Sequence, residues 1–422
     1  MLDLKAGLAI LLLLNKQIGG NTALRDLKHL IFFEDLLQDA NNALIQQACA
    51  QGKLALAYNC SYIPEVLLDV EGCFGIRLRA PRCTSPDLAT YYMTNRSCPY
   101  SKSILERAFE GGYNFIDALL GQECCTTMNR TEQYFEYCKL IPKERFFVSY
   151  IDMPLKKSDW HAGYFRRQIE KKIIEPLNRV YGVDFSQEKL RAAVERHNEV
   201  CRIISRIGQL RKQENPPITG YEFHVIQLVS LTCPKELILP YLRETLEELL
   251  QREPDPKPFY RARVMVAGSE IDDPEFTRLL ESCGAFVVAD RYCFGSIPGR
   301  EEIVLEEGKD ILQSIADSYL YHNQCPRTMG PEAIVGRKQF LFDLAKEYGA
   351  EGVILQNMKF CEYWGYERAQ ASMWMQEGFA LPDTLPVCQI ERDYTIAAAG
   401  QLRTRFQAFV ESLEIKRIQA GK

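Results

Sequence analysis

Fifteen of the 422 residues are cysteine, and their spacing limits the chemistry they could do. No C-x-x-C pair occurs, which argues against zinc ribbons, thioredoxin-type redox pairs and ferredoxin-type cluster binding. The count is odd, and too small in so long a chain for a disulfide scaffold. In a reducing cytoplasm, the setting expected for this chain, grouped cysteines bind metal or do redox work. Five stand where ligation is plausible by position. Cys60, Cys125 and Cys361 each follow an expected strand, where open α/β sheets place their ligands. Cys98 and Cys325 each precede a proline, in Ser97-Cys98-Pro99 and Gln324-Cys325-Pro326, and proline is favoured at the first helical position. A helix dipole should lower the pKa of such a thiol, and the thiolate is the form that binds metal. Iron–sulfur clusters are held by thiolates of this kind. Cys49, Cys201, Cys233, Cys283 and Cys388 read instead as small buried hydrophobes. Cys73, Cys83 and Cys293 lie in expected loops and suit either role.

Other chemistries lack their signatures. There is no G-x-x-x-x-G-K-[ST] phosphate loop, so the chain is not expected to hydrolyse ATP itself. A G-x-G-x-x-G turn and an H-E-x-x-H pair are also missing, and His29, His161, His197, His224 and His322 are scattered. A net charge of −5 with no basic stripe argues against a nucleic-acid partner. The longest apolar run, Leu8–Leu14, is far too short to span a bilayer and reads as a buried helix, so no membrane role is expected.

The elements that must position these thiols alternate along the chain. Helices of an N-terminal cap are expected at Leu4–Asn15 and Thr22–Ala50. Short strands follow at Leu54–Tyr58, Phe74–Leu78, Phe115–Leu120 and Arg145–Ile151, with a helix at Ser101–Glu110 between the second and third. Helices are then expected at Tyr164–Tyr181, Gln187–Gln209 and Lys235–Arg252. In the second, Leu190, Val194, His197, Cys201, Ile204 and Ile207 recur at helical spacing, which makes His197 and Cys201 core residues. Pro254, Pro256 and Pro258 mark an edge. Strands resume at Arg263–Ala267, Phe286–Ala289, Gly352–Gln356 and Pro386–Gln389. The helices among and after them are Pro274–Cys283, Glu302–Tyr321, Glu332–Tyr348, Tyr366–Glu377 and Ala397–Leu413. This alternation predicts an α/β fold of two Rossmann-like, doubly wound parallel-sheet domains, residues 1–155 and 256–422, with a helical insertion at 156–255.

Several short pieces occur together and in order: Cys60–Glu65 (CSYIPE), Cys98–Lys102 (CPYSK), the turn at Cys125 with Arg130, and Cys325-Pro326-Arg327. Phe360-Cys361-Glu362, Glu391–Tyr394 (ERDY) and Gly400–Arg405 complete the set. With them the chain resembles the family of 2-hydroxyacyl-CoA dehydratase and benzoyl-CoA reductase subunits over most of its length. The resemblance implies a [4Fe-4S] cluster between two Rossmann-like domains, on three cysteines that match Cys98, Cys125 and Cys361. It also implies a separate ATP-hydrolysing iron–sulfur activator that supplies electrons at low potential.

The surplus of thiols is similar to that of the double-cubane cluster proteins, a homodimeric branch whose chains each hold an [8Fe-9S] cluster on six cysteines. By that resemblance the six are Cys60, Cys98, Cys125, Cys138, Cys325 and Cys361, with Cys124 as the substitute. The implied function is a reductase component that receives electrons from the activator and reduces small unsaturated molecules. Glu65 and Lys102 are the candidate proton donors, with Glu123 and Tyr100 also beside proposed ligands. The alternatives are a [4Fe-4S] subunit of a 2-hydroxyacyl-CoA dehydratase or benzoyl-CoA reductase, and a cluster protein that only carries electrons. Glu391, Asp393, Arg403 and Arg405 read as a helix cap and an ion pair.

Overall fold

Each half of the chain builds one four-stranded parallel sheet, and the two sheets share one connectivity. The computed structural model describes residues 26–123, 125–254, 258–296, 301–376, 385–395 and 399–421, with side chains to 370 in the fourth segment. The helix expected at Leu4–Asn15, Cys124, Pro256, Glu377 and the start of the last helix at Ala397 lie outside the described residues. The first sheet contains β1 (Leu54–Tyr58), β2 (Cys73–Arg77), β3 (Ala118–Gln122) and β4 (Phe147–Ile151), in the order β2-β1-β3-β4. The second contains β5 (Ala262–Gly268), β6 (Ala285–Tyr292), β7 (Gly352–Met358) and β8 (Val387–Arg392), in the order β6-β5-β7-β8. All six neighbouring pairs are parallel. β2, β3, β6 and β7 are buried along their length, and β1 after Leu54, because helices cover both faces of a parallel sheet. In each sheet the strand order reverses between the first and third strands, which opens a crevice beyond their carboxyl ends.

The expected elements are present with shifted ends. β3 begins three residues later than the pattern Phe115–Leu120 because Ile116 N donates to Tyr113 O in a turn, and pairing starts only where Asp117 N reaches Ala55 O. The helix expected from Glu302 starts at Ile311, where the Asp310 side chain accepts from Leu312 N. Two helices of more than ten residues escaped the pattern, Thr126–Tyr137 and Gly220–Thr232. Gly220–Thr232 opens with a Thr219/Glu222 capping box and packs against both β2 and β6, the edge strands of the two sheets. It is buried on every side, so it carries no amphipathic period to be read.

A buried polar network ties the first sheet to the helices between the sheets. Lys235 Nζ lies 2.5 Å from Asp69 and 3.4 Å from Glu65, and His197 Nδ1 lies 3.5 Å from the same Glu65 oxygen. Tyr58 OH donates to the other Glu65 oxygen, and Cys201 Sγ sits 3.4 Å from His197 Nε2. Burial alone would raise the Glu65 pKa, but Lys235, His197 and Tyr58 hold it well below the usual carboxylate range.

Candidate metal centre

The carboxyl ends of the two sheets carry the thiols. Cys60 follows β1, and Cys125 follows β3 and caps the helix α1 (Thr126–Tyr137). In the second sheet Cys293 follows β6 directly. Cys361 follows β7 and precedes the helix α2 (Glu362–Gln376). Between β7 and Cys361, Phe360 takes a left-handed φ of 60°, a strained turn that swings the chain toward the helix. Cys98 is the residue before Pro99–Phe109, with Pro99 in its first turn as the sequence predicts. Cys325 departs from expectation. Cys325-Pro326 forms a turn, and the next helix, α3 (Pro331–Glu347), starts only after Gly330.

These thiols form two electrostatic groups with a link between them. Burial raises the pKa of Cys98, and Glu270 and Cys125 raise it further. Burial likewise holds Cys361 well above the usual thiol value, again with Glu270, Cys98 and Cys125 adding to the shift. Cys325 is pushed up to about 12 by burial and by the neighbouring Cys60. Cys293 is raised by burial, Glu270, Cys325 and Cys361, so it lies within electrostatic reach of both groups. The lowering expected from helix dipoles at Cys98 is thus overturned: desolvation of the thiolate outweighs the backbone N–H groups of Tyr100 and Ser101. Two thiols have further partners: Trp364 Nε1 lies 3.4 Å from Cys293 Sγ, and Thr127 Oγ1 lies 3.3 Å from Cys125 Sγ.

Three buried arginines surround the second group. Arg77 Nη1 donates to Cys293 O, Arg327 Nη2 to Glu123 O at 2.9 Å, and Arg291 Nη2 to Gln324 O at 2.7 Å. Each keeps at least one donor without a partner: Nε of Arg77, Nε of Arg291, and Nε and Nη1 of Arg327. Among the described residues neither Arg77 nor Arg327 has a carboxylate within ion-pair distance, and Arg291 meets Glu367 only at 3.9 Å. Buried cations short of carboxylate partners are costly by several kcal/mol, so an anionic guest would be stabilised by this shell. Thiolates around an iron–sulfur cluster are such a guest, and the donor set fits one. Among the described residues no three His, Cys, Asp or Glu groups converge closely enough to hold a single metal ion. In a cluster each thiolate binds its own iron, so convergence on one point is not required. Arg327 stood in the Cys325-Pro326-Arg327 piece, but nothing in the neighbouring residues of the three arginines marks them as buried.

The remaining predicted site residues are placed as follows. Cys138 is the residue after α1, at the opposite end of that helix from Cys125. Glu65 is engaged in the network with Lys235 and His197. Lys102 is half-buried, one turn into the helix that begins after Cys98. Tyr100 is buried and its hydroxyl donates to Leu78 O at 2.8 Å. Asp393 pairs with Lys359 at 2.6 Å and Glu391 with Arg368 at 3.7 Å, while Arg405 Nη2 donates to Gln389 O. No described helix is long and apolar enough to cross a membrane.

The chain is 23% identical over 381 residues to the (R)-phenyllactyl-CoA dehydratase beta subunit of Clostridium sporogenes, covering 90% of this chain and 97% of that protein. It is 22% identical over 371 residues to the beta subunit of (R)-2-hydroxyglutaryl-CoA dehydratase from Acidaminococcus fermentans, covering 86% and 93%. It is 20% identical over 267 residues to a benzoyl-CoA reductase subunit of Thauera aromatica, covering 63% and 67%. Residues 60–413 match the family described as 2-hydroxyglutaryl-CoA dehydratase, D-component, and the chain belongs to that family.

Proposed function

We propose that this chain is a low-potential reductase component that carries an [8Fe-9S] double-cubane cluster and reduces small unsaturated molecules. The observation that carries the reading is the pairing of two thiol groups through Cys293 inside a shell of buried arginines with spare donors. Cys98, Cys125 and Cys361 would hold one cubane, and Cys60, Cys325 and Cys293 the other. Cys293 takes the place that Cys138 has in the reading by resemblance. When bound, such a cluster would supply electrons at low potential, more than one at a time. Arg77, Arg291 and Arg327 offset its charge, and the Trp364 N–H steadies the Cys293 sulfur. Glu65 holds no proton to give, since Lys235 and His197 keep it ionised, so Lys102 is the proposed proton donor of the pair. A separate ATP-hydrolysing iron–sulfur activator would deliver the electrons, consistent with the missing phosphate loop. A second copy of the chain would complete a homodimer.

The runner-up is a [4Fe-4S] subunit of a 2-hydroxyacyl-CoA dehydratase or aryl-CoA reductase. It is favoured by the electrostatic influence of Cys125 on Cys98 and of both on Cys361, and by the relatives' names. Iron and acid-labile sulfide quantitation on anaerobically purified chain separates the two. About eight irons per chain supports the double cubane, and about four assigns the single one. Failure of the reduced protein to reduce any small substrate would leave only electron carriage.

A further inference from the structure

The two halves of the chain deliver unlike charges to the two thiol groups. Cys125 stands three residues past β3, and Cys361 three past β7, the equivalent strand of the second sheet. β1 and β5 are equivalent in the same way, but Cys60 stands two residues past β1 and Glu270 two past β5. The second half thus carries a carboxylate where the first carries a thiol. We propose that Glu270 and the arginine shell hold the two cubane sites at unequal reduction potentials, so that electrons pass from the site on Cys98, Cys125 and Cys361 to the site on Cys60, Cys325 and Cys293. This inequality requires the double cubane proposed above, and so rests on that reading.

Glu270 borders the crevice of the second sheet. β5 and β7 pair in parallel as far as Gly268 and Gln356, so Glu270 and Cys361 leave neighbouring strands at the same edge. The backbone there is fixed: Arg392 Nη2 donates to Glu270 O at 2.5 Å, and Ser269 Oγ accepts from Met358 N at 2.7 Å. The half-buried carboxylate lies within electrostatic reach of Cys98, Cys125 and Cys361 alike. Among the described residues it has no cation at ion-pair distance, and Asp272 and Asp273 oppose the charge of Arg392. The other site meets the opposite sign. Arg77 is within reach of Cys60 and Cys293, Arg291 of Cys293 and Cys325, and Arg327 of Cys325. Cys293 is also within reach of Glu270, but Arg77 donates to the Cys293 carbonyl and offsets that charge. Glu367 does not cancel the shell, since it lies 3.9 Å from Arg291 and is paired with Arg337 at 3.2 Å. Glu132, the buried carboxyl within reach of Cys60, has its pKa raised to about 8 and is mostly neutral at pH 7. An added electron is disfavoured beside a carboxylate and favoured beside arginines, because nearby charge sets the potential of a cluster. One electron from a low-potential iron–sulfur donor therefore leaves the first cubane and enters the second, with no bond made or broken.

Potentiometric titration of anaerobically purified full-length protein tests this, with titanium(III) citrate as reductant at pH 7, electron paramagnetic resonance as the readout and iron counted on the same sample. Two separate one-electron steps are expected. Glu270→Gln should raise the lower potential, and Arg327→Gln should lower the higher one. Each should narrow the gap by about tenfold or more in the equilibrium between the sites, about 59 mV for one electron. Glu270→Asp keeps the charge and should keep the gap of the unaltered chain. If Arg327→Gln fails to load iron, Glu270→Gln decides alone, since that carboxylate holds no ion pair among the described residues. About eight irons with a single potential for both sites, or with a gap that Glu270→Gln leaves unchanged or widens, would overturn the inequality and leave the proposed function standing. About four irons per chain would overturn both.

Discussion

Cys293→Ser should strip iron from the chain, while Cys138→Ser should leave it loaded. The helix α1 between Cys125 and Cys138 has 12 residues. Thirteen steps of about 1.5 Å hold the two cysteines about 20 Å apart. Metal–thiolate bonds are about 2.3 Å long, so Cys138 cannot share one cubane with Cys125 unless the helix unwinds. Cys293 is 8% exposed, lies within electrostatic reach of Cys325 and Cys361, and takes the Trp364 N–H. Serine there should cost about 1–2 kcal/mol of stability, which leaves the fold intact. Serine at Cys138, on a helix end, should change stability by less than about 0.5 kcal/mol. The assay is iron and sulfide per chain after anaerobic purification, with far-ultraviolet circular dichroism to show that both variants fold. Full iron in Cys293→Ser, or loss of half the iron or more in Cys138→Ser, would refute the assignment.

Three further outcomes are expected. Lys235→Met strands Asp69 and Glu65 in the core and should destabilise the protein by about 3–5 kcal/mol at pH 7 in urea titrations. Lys235 helps to hold Glu65 ionised, so without it Glu65 takes up a proton more readily on acidification and the gap to the unaltered chain should narrow at pH 5; a gap that widens there contradicts the network. Glu132 is buried with a pKa raised to about 8 by desolvation, so the unfolded chain ionises it first as pH rises from about 4.5. That group's contribution to stability is full below pH 4.5 and falls by up to about 1.4 kcal/mol per pH unit until pH 8, and Glu132→Gln should flatten this part of the profile. Parallel profiles for the two proteins would show that Glu132 ionises normally. Gly268→Ala places a Cβ 1.8 Å from Gln356 O at a φ of 145° and should cost about 2–4 kcal/mol in thermal unfolding, together with iron. A loss below about 1 kcal/mol would mean that the end of β5 yields freely.

Much of the scaffold was legible because its signals are local. Short apolar runs announced the strands, and Gln187–Gln209 matched its helix because one apolar stripe faces the core. Proline after Cys98 marked a helix start for a backbone reason that holds anywhere in a chain. The same reasoning failed at Cys325, where Gly330 and Pro331 five residues on give a better start. It also failed at Gly220–Thr232, since a helix packed on every side shows no period.

By itself, the chain determined which thiols end strands or begin helices: Cys60, Cys98, Cys125 and Cys361 sit where their neighbouring residues put them. Only the tertiary structure decided which of them meet. Cys293, ambiguous in its own loop, lies within electrostatic reach of Cys325 and Cys361 because β6 ends at the same edge as β7, and Cys138 stands at the far end of the helix that Cys125 caps. Arg77, Arg291 and Arg327 show the same division, since a lone arginine reads as surface until both sheets close over it. Local rules set where a side chain leaves the backbone, but burial and long-range pairing set its pKa, its partners and its chemistry.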